Sequence, residues 1–353
     1  MINKTFCASL FMTAICVLTI SAQPSPYISR VWEYNPAPGQ FVNDLPAYEE
    51  GDDAEAMRRK AEEEIAADNQ GMITLGGWGG YVVFGFDHMV PNEAGEYDLL
   101  VQGNAFYSGV GNEDDASNGG SCEPGIVMVS YDANGNGLPD DEWYELAGSE
   151  YDNPSVVHNY RLTYYAPAPN HRPVPSQVNS VLTDTTYIRW QDNRNRTGYM
   201  YQVAYHKQPY FPQWLGTDSV SFTGARLPDN AVDVSEAGAS FVLMPYDWGY
   251  ADNHPNKSEK ARLKIDWAVD ADGDEVNLPG IHFVKVYTAV HQQCGWIGET
   301  STEITGAVDL HCHTALESVP SDGFRPRLIL HKGNVVIERG DTAYTLDGRL
   351  VTK

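Results

Sequence analysis

The sequence predicts an all-β protein, a β-sandwich or jelly roll with one short N-terminal helix. Three observations lead there. Gly (32), Pro (21) and aromatic residues (11 Phe, 8 Trp, 21 Tyr) are abundant, the composition of short strands joined by tight turns. From residue 72 onward apolar residues come in short runs punctuated by Gly, Pro, Asn and Asp. Helical periodicity is confined to residues 52–68. With 353 residues the chain can build one large β-domain or two ordinary ones. No internal repeat of fixed period is present, which argues against propellers and solenoids.

The first 22 residues, MINKTFCASLFMTAICVLTISA, have the form of a secretory signal: Lys4, an apolar run, and a small-residue ending at Ser21-Ala22. No basic flank follows, so export is expected over membrane anchoring. Residues 32–45 are extended and broken by Pro and Gly. In residues 52–68, Ala54, Met57, Ala61 and Ile65 make one apolar stripe. Asp52 is placed to cap that helix, with Glu55 three residues on and Gly71 past its end. Its charged face is expected to be solvated.

MITLGGWGGYVVFGF (72–86) predicts a strand pair whose glycines allow bends or close backbone approach, and EYDLLVQGNAF (96–106) another strand. Residues 108–121 are a polar surface loop. SCEPGIVMVSYDANGNGLPDDEWYELAG (121–148) predicts a buried strand over 125–131, an acidic turn over 132–141 and a second strand over 142–146. Further strands are expected at 160–165, 187–190, 199–205, 219–223, 240–243, 264–269, 282–290 and 302–308. The main domain is expected to span 23–313, followed by a linker at 314–323 and a short β tail at 324–353.

The formal charge of −25 disfavours nucleic acid and anionic lipid as partners and favours divalent cations. Cys7 and Cys16 leave with the signal, and Cys122, Cys294 and Cys312 remain. One disulfide plus a thiol is compatible with that number. Cys294 and Cys312 are the nearest pair in sequence, but spacing does not fix the connectivity. No CxxC or Cys/His grid points to structural zinc.

The strongest chemical pattern is the turn Asp132-Ala-Asn134-Gly-Asn136-Gly137-Leu138-Pro-Asp140-Asp141. Calcium takes six to eight oxygens, and a tight loop offers them from alternate residues: side chains of Asp132, Asn134, Asn136 and Asp140, and the Leu138 carbonyl. Trp143 stands where an EF-hand has its bidentate Glu, so Asp141 or a neighbour must complete the set. A structural calcium ion is expected there. The alternative is a hydrated Asn-Gly turn. A second acidic turn, Asp270 to Glu275, has only the opening of such a pattern.

Tyr246-Asp247-Trp248-Gly249-Tyr250 places aromatic faces beside a carboxylate, the combination that stacks on sugars and accepts their hydroxyl hydrogens. Tyr246, Asp247, Trp248, Tyr250 and Trp296 are therefore the candidate ligand contacts, against the alternative of rings packed inward at a β-corner. The same choice applies to Tyr210 and Trp214. Asp309-Leu-His311-Cys312-His313 is similar to the opening metal motif of polymerase-and-histidinol-phosphatase hydrolases. That centre needs several later His and Asp ligands, and His331 is the one later histidine, so the match is set aside. No GxSxG, HExxH or Cys/His catalytic signature is present, and no catalytic residue is assigned.

Several blocks together, VWEYNPAPGQFVND, LGGWGGYVVFGFDHMVPN, YDLLVQGNAF, PYDWGYADN, WAVDADGDEVNLPGIHFVKVYTAV and CGWIGETSTEITGA, with the 121–148 stretch, resemble a family of exported gut-bacterial cell-surface proteins, often labelled only as such or given a PKD-domain name. The resemblance covers about residues 31–307. It implies a jelly-roll or galactose-binding-like sandwich and no established reaction. Some relatives accompany vitamin B12 uptake, which makes a corrinoid a candidate ligand by association. The end, VVIERGDTAYTLDGRLVTK, resembles the sorting tail of type IX secretion cargo, with an ordinary terminal hairpin as the alternative.

The expected function is that of a secreted or surface-exposed, calcium-stabilised binding protein for an external small molecule or glycan, without catalysis. The alternatives are a surface glycan hydrolase using undetected carboxylates or a histidine such as His88, a corrinoid-binding accessory of uptake, and a structural or adhesion module. Outer-membrane uptake or sorting machinery is the candidate protein partner.

Overall fold

The structure is a computed structural model that describes residues 24–69, 71–109, 115–235 and 238–312, together with the strands Arg327–His331, Asn334–Arg339, Thr342–Thr345 and Leu350–Val351. The expected signal segment and linker lie outside the described residues.

The chain is mostly β, 37% strand against 7% helix, as its composition requires. The jelly-roll or galactose-binding-like sandwich is not what forms. Four separate sheets, of six, four, four and three strands, make a four-bladed β-propeller. A two-stranded ladder joins Ile73–Thr74 to Glu303–Ile304. The absence of a sequence repeat did not exclude this fold, because the sheets differ in strand number and length and draw on distant segments. Repeat-free sequence and blade-like closure are compatible when no two blades are alike.

The six-stranded sheet runs Arg30–Asn35, Tyr81–Pro91, Gly280–Thr288, Gly125–Ser130, Trp143–Leu146 and Ala268–Val269. Gly280–Thr288 lies inside it and is buried except at His282 and Lys285, which is why GIHFVKVYT shows an apolar run with little alternation. The second sheet runs Thr197–Val203, Leu182–Asp192, Val157–Tyr165 and Ser219–Arg226. Its core is aromatic, with Trp78, Tyr160, Tyr164 and Tyr210 all buried. The third runs Ala231–Asp233, Phe241–Leu243, Gly120–Ser121 and Phe106–Tyr107, and the fourth Arg262–Leu263, Leu99–Gln102 and Gly306–Asp309. The strands expected over 125–131 and 142–146 are present as Gly125–Ser130 and Trp143–Leu146. Residues 264–269 are not one strand: a 3-10 turn, Ile265–Trp267, interrupts them.

The helix is Ala54–Ile65, shorter than the periodicity suggested, and buries Met57, Ala61 and Ile65. Its cap is Asp53, whose carboxylate accepts the Ala56 N–H at 2.8 Å. Asp52 instead accepts Glu49 N–H and pairs with Lys60 at 2.7 Å. The charged face is only partly solvated. Arg58 donates to Val31 O at 2.5 Å and Glu62 accepts Val31 N–H at 2.9 Å, so this i,i+4 pair covers the edge strand Arg30–Asn35.

Ile73–Thr74 and Tyr81–Pro91 do not pair with each other as expected; the glycines between them serve the close approach instead. Gly76 has φ +67, and a Cβ there would lie 2.0 Å from Ala37 O. The domain's two ends are fastened together: Tyr27 bridges Val308, and Asp309 N–H donates to Pro26 O at 2.8 Å. Cys122, Cys294 and Cys312 are all free thiols, so the Cys294–Cys312 disulfide is not made. The tail strands pair with one another as a separate antiparallel sheet. Among the described residues, no helix is long and apolar enough to cross a membrane.

Candidate functional site

The turn joining Leu182–Asp192 to Thr197–Val203 is organised by one carboxylate. Asp192 accepts the N–H groups of Arg194 (2.9 Å) and Arg196 (2.8 Å), the Arg196 Nε–H (2.6 Å) and the Tyr160 hydroxyl (3.1 Å). Burial would raise this carboxyl, but those hydrogen bonds outweigh it and hold the group below its ordinary range. Arg196 is thereby fixed beside Tyr160. Arg226, at the end of Ser219–Arg226, approaches the same ring, and each guanidinium carbon lies 5.8 Å from its centroid. Arg226 donates to Asp229 at 2.6 Å and to His291 O at 3.3 Å.

Arg196 and Arg226 wall a cavity of about 280 Å³ that also receives Trp190, Tyr199, His291, Gln293 and Glu299. The Trp190 indole packs edge-on against His291, with centroids 4.6 Å apart. Gly198 is its cross-strand partner, and the absent side chain makes room for the indole. Burial, reinforced by the nearby Arg226 and Arg196 charges, pushes the His291 imidazole down to about 3, so it is neutral at physiological pH. Glu299 is 3% exposed, and burial pushes its carboxyl up to about 8, so it holds its proton at neutral pH.

Three side-chain atoms of this wall have no hydrogen-bond partner among the described residues: Glu299 Oε2, Gln293 Nε2 and Arg226 Nε. The other ends of two of these groups are anchored. Glu299 Oε1 accepts Gln40 N–H at 2.6 Å, and Gln293 Oε1 accepts Tyr201 N–H at 3.2 Å. A buried donor or acceptor left unpaired costs about 1–3 kcal/mol, and native folds keep such groups rare. Paired guanidiniums, a neutral imidazole, a protonated carboxyl and an amide make this wall rich in hydrogen bonds without strong net charge. Such a surface, with Trp190 and Tyr199 beside it, suits an uncharged polar molecule.

The residues singled out from the sequence fall elsewhere. Tyr250 is buried over Gly148 and its hydroxyl accepts Glu150 N–H at 3.0 Å; Tyr246 packs against it at 5.3 Å and donates to Pro228 O. Trp248 packs on Trp267 at 4.5 Å, and exposed Asp247 pairs with Lys260 at 2.5 Å. In this stretch Tyr250 is buried, Tyr246 and Trp248 are half-buried, and Asp247 is exposed. Trp296, 47% exposed, stands against Tyr205. None of the five lines the cavity. Tyr210 is buried, and Trp214 is stacked between Tyr34 and Tyr48.

In the acidic turn, Asp132 accepts the N–H groups of Asn136 (3.1 Å) and Gly137 (2.9 Å), and Asn136 Oδ1 accepts that of Leu138 at 2.7 Å. Asn134 and Asn136 both donate to Asp140 at 3.1 Å, and Asp141 accepts Ala133 N–H at 3.1 Å. The side chains named as oxygen donors thus converge on one another in an exposed loop. His311 of the discarded metal motif lies 2.8 Å from buried Asp98, and His313 falls outside the described residues.

Sequence reasoning missed a second acidic group. Carboxylate oxygens of Glu123, Asp252 and Glu303 lie within 4.8 Å of one another. Asp252, at φ +51, accepts N–H from Asn104 and Ala105 at 2.8 Å and from Glu303 at 2.9 Å. Glu303 accepts the hydroxyls of Thr74 (3.1 Å) and Ser301. Burial first, then mutual repulsion, holds Asp252 and Glu303 well above the ordinary carboxylate range, and burial raises Glu123. Three oxygen donors of this kind are stable with shared protons or around a hard cation. Glu299, Ser301 and Glu303 all come from GETSTEI, whose polar composition gives the appearance of a surface loop; its burial has no sequence signal. Trp190, Arg196, Arg226 and His291 likewise belong to no motif.

No protein-family model matches the chain, and no curated protein matches it.

Proposed function

We propose that this protein binds a compact, uncharged, polar molecule, most simply a saccharide, in the cavity between Trp190 and Glu299. One observation carries the reading: three buried polar atoms of one cavity wall, one on Arg226 and two within residues 293–299, have no partner among the described residues, and a bound hydroxylated molecule would supply them. Trp190 and Tyr199 provide apolar faces for the ring of such a ligand. At about 280 Å³ the cavity favours a compact molecule over a corrinoid macrocycle. The signal-like N-terminus supports export, and the Asp132–Asp141 turn supports a structural calcium ion held by Asp132, Asn134, Asn136, Asp140 and the Leu138 carbonyl, with Asp141 completing the set.

The test is a titration of the full chain with a panel of mono- and disaccharides, followed by intrinsic fluorescence and calorimetry. Saturable binding by one of them, weakened at least tenfold in Glu299→Ala and Trp190→Ala, is the expected result. Binding unaffected by both substitutions, or no binding at millimolar ligand, would overturn the proposal.

A further inference from the structure

Away from that cavity, two segments bring an imidazole, a carboxylate and a thiol together. His88 comes from Tyr81–Pro91, Asp309 ends Gly306–Asp309, and Cys312 follows three residues later. His88 Nε2 lies 2.7 Å from Asp309 Oδ2, and these atoms and Cys312 Sγ all lie within 4.8 Å of one another. We propose that His88, Asp309 and Cys312 form a binding site for a divalent transition metal, zinc by preference. This goes beyond the saccharide reading and does not depend on it.

The surroundings orient each donor. Asp87 Oδ1 lies 2.7 Å from His88 Nδ1, so the carboxylate fixes the ring and leaves Nε2 to the group. A metal-bound histidine ordinarily has such a partner on its other nitrogen. Asp309 is 3% exposed and its Oδ1 accepts His311 N–H at 2.8 Å, which leaves Oδ2 beside His88. Cys312 is half-exposed, and its sulfur makes a 3.5 Å contact with Pro24 O.

Mixed nitrogen, oxygen and sulfur ligation selects zinc over calcium or magnesium, which take oxygen alone. Zinc bonds of about 2.0–2.3 Å place tetrahedral donor atoms roughly 3.3–3.7 Å apart. The His88–Asp309 contact would open by about half an ångström and the Cys312 side chain would swing inward by about an ångström. Three protein donors leave a fourth position for water. Binding displaces the proton between Nε2 and Oδ2 and the thiol proton, because each ligand enters deprotonated. The sequence concealed this site because His88 lies 221 residues from Asp309, with no spacing that links them.

The test uses the full, reduced chain titrated with Co2+ as a spectroscopic probe and then with Zn2+. One equivalent of Co2+ should produce a thiolate-to-cobalt charge-transfer band with tetrahedral visible bands, and Zn2+ should erase both. Cys312→Ser should remove the charge-transfer band, and His88→Ala and Asp309→Asn should each weaken zinc binding at least tenfold. Both His88 and Cys312 are partly exposed, so their variants are expected to fold, with far-UV dichroism as the check. Absence of the band, or a band that survives His88→Ala at unchanged affinity, would overturn the site and leave an imidazole–carboxylate pair beside an independent thiol.

Discussion

Gly198 stands opposite Trp190 in the antiparallel pair, and a Cβ built on it would lie 2.4 Å from the indole Cζ2. The glycine's missing side chain is therefore part of the cavity's construction. Gly198→Ala should displace the indole from His291 and destabilise the fold by about 1–3 kcal/mol, the usual cost of overpacking. Urea denaturation gives the stability, and near-UV dichroism gives the altered tryptophan environment. A spectrum and midpoint equal to those of the parent would show that the ring is not held there.

Glu299 makes stability depend on pH. Its folded carboxyl is pushed up to about 8 from an ordinary value of 4.5. Between those values the native state holds a proton that the unfolded state has released, so stability falls as pH rises through this window. The contribution is fully present below pH 4.5 and is lost by about pH 8. In Glu299→Gln this dependence should disappear, so the variant's stability relative to the parent should increase steadily from pH 5 to pH 8. Parallel melting-temperature profiles for the two proteins would refute the assignment.

Asp252 accepts three backbone N–H groups with two oxygens. Asp252→Asn replaces one acceptor by a donor and sets an NH2 group against at least one of those N–H groups. The expected loss is about 1–3 kcal/mol, the cost of leaving a buried backbone N–H unpaired. Chemical denaturation measures it. A variant as stable as the parent would mean that the carboxylate is not the acceptor for these groups.

Calcium should raise the melting temperature of the full chain, and chelator should lower it. Saturation at a hundred times the dissociation constant corresponds to about 2.7 kcal/mol. Asp132→Asn combined with Asp140→Asn should abolish the response while leaving the chelated protein's stability within about 1 kcal/mol, because both residues lie in the turn and away from the core. Superimposed curves with and without calcium would remove the ion from the proposal.

The strand content, the helix stripe at Met57, Ala61 and Ile65, and the two strands flanking Asp132 were legible in the sequence because each rests on local periodicity and turn chemistry. The arrangement of sheets was not. It depends on pairings such as Tyr81 with Tyr287 and Ile73 with Ile304, which local pattern does not encode. The aromatic run at Tyr246 to Tyr250 is conspicuous in sequence because aromatics and acids stand together, yet its rings pack on one another and on Trp267, outside the cavity. The cavity's polar wall was hidden for the opposite reason: Arg226, Gln293 and Glu299 are ordinary residues in sequence and become notable only when folding removes them from water.

The strand Gly280–Thr288 lies between Tyr81–Pro91 and Gly125–Ser130, and the bridge from Tyr27 to Val308 joins the two ends of the domain. A ribosome must therefore deliver most of the polypeptide before the largest sheet can gain its inner member. Until then the early strands have no permanent neighbour on that side. High contact order of this sort slows folding and prolongs the loose state. Synthesis interrupted before residue 280 would leave adhesive, unpaired strand edges.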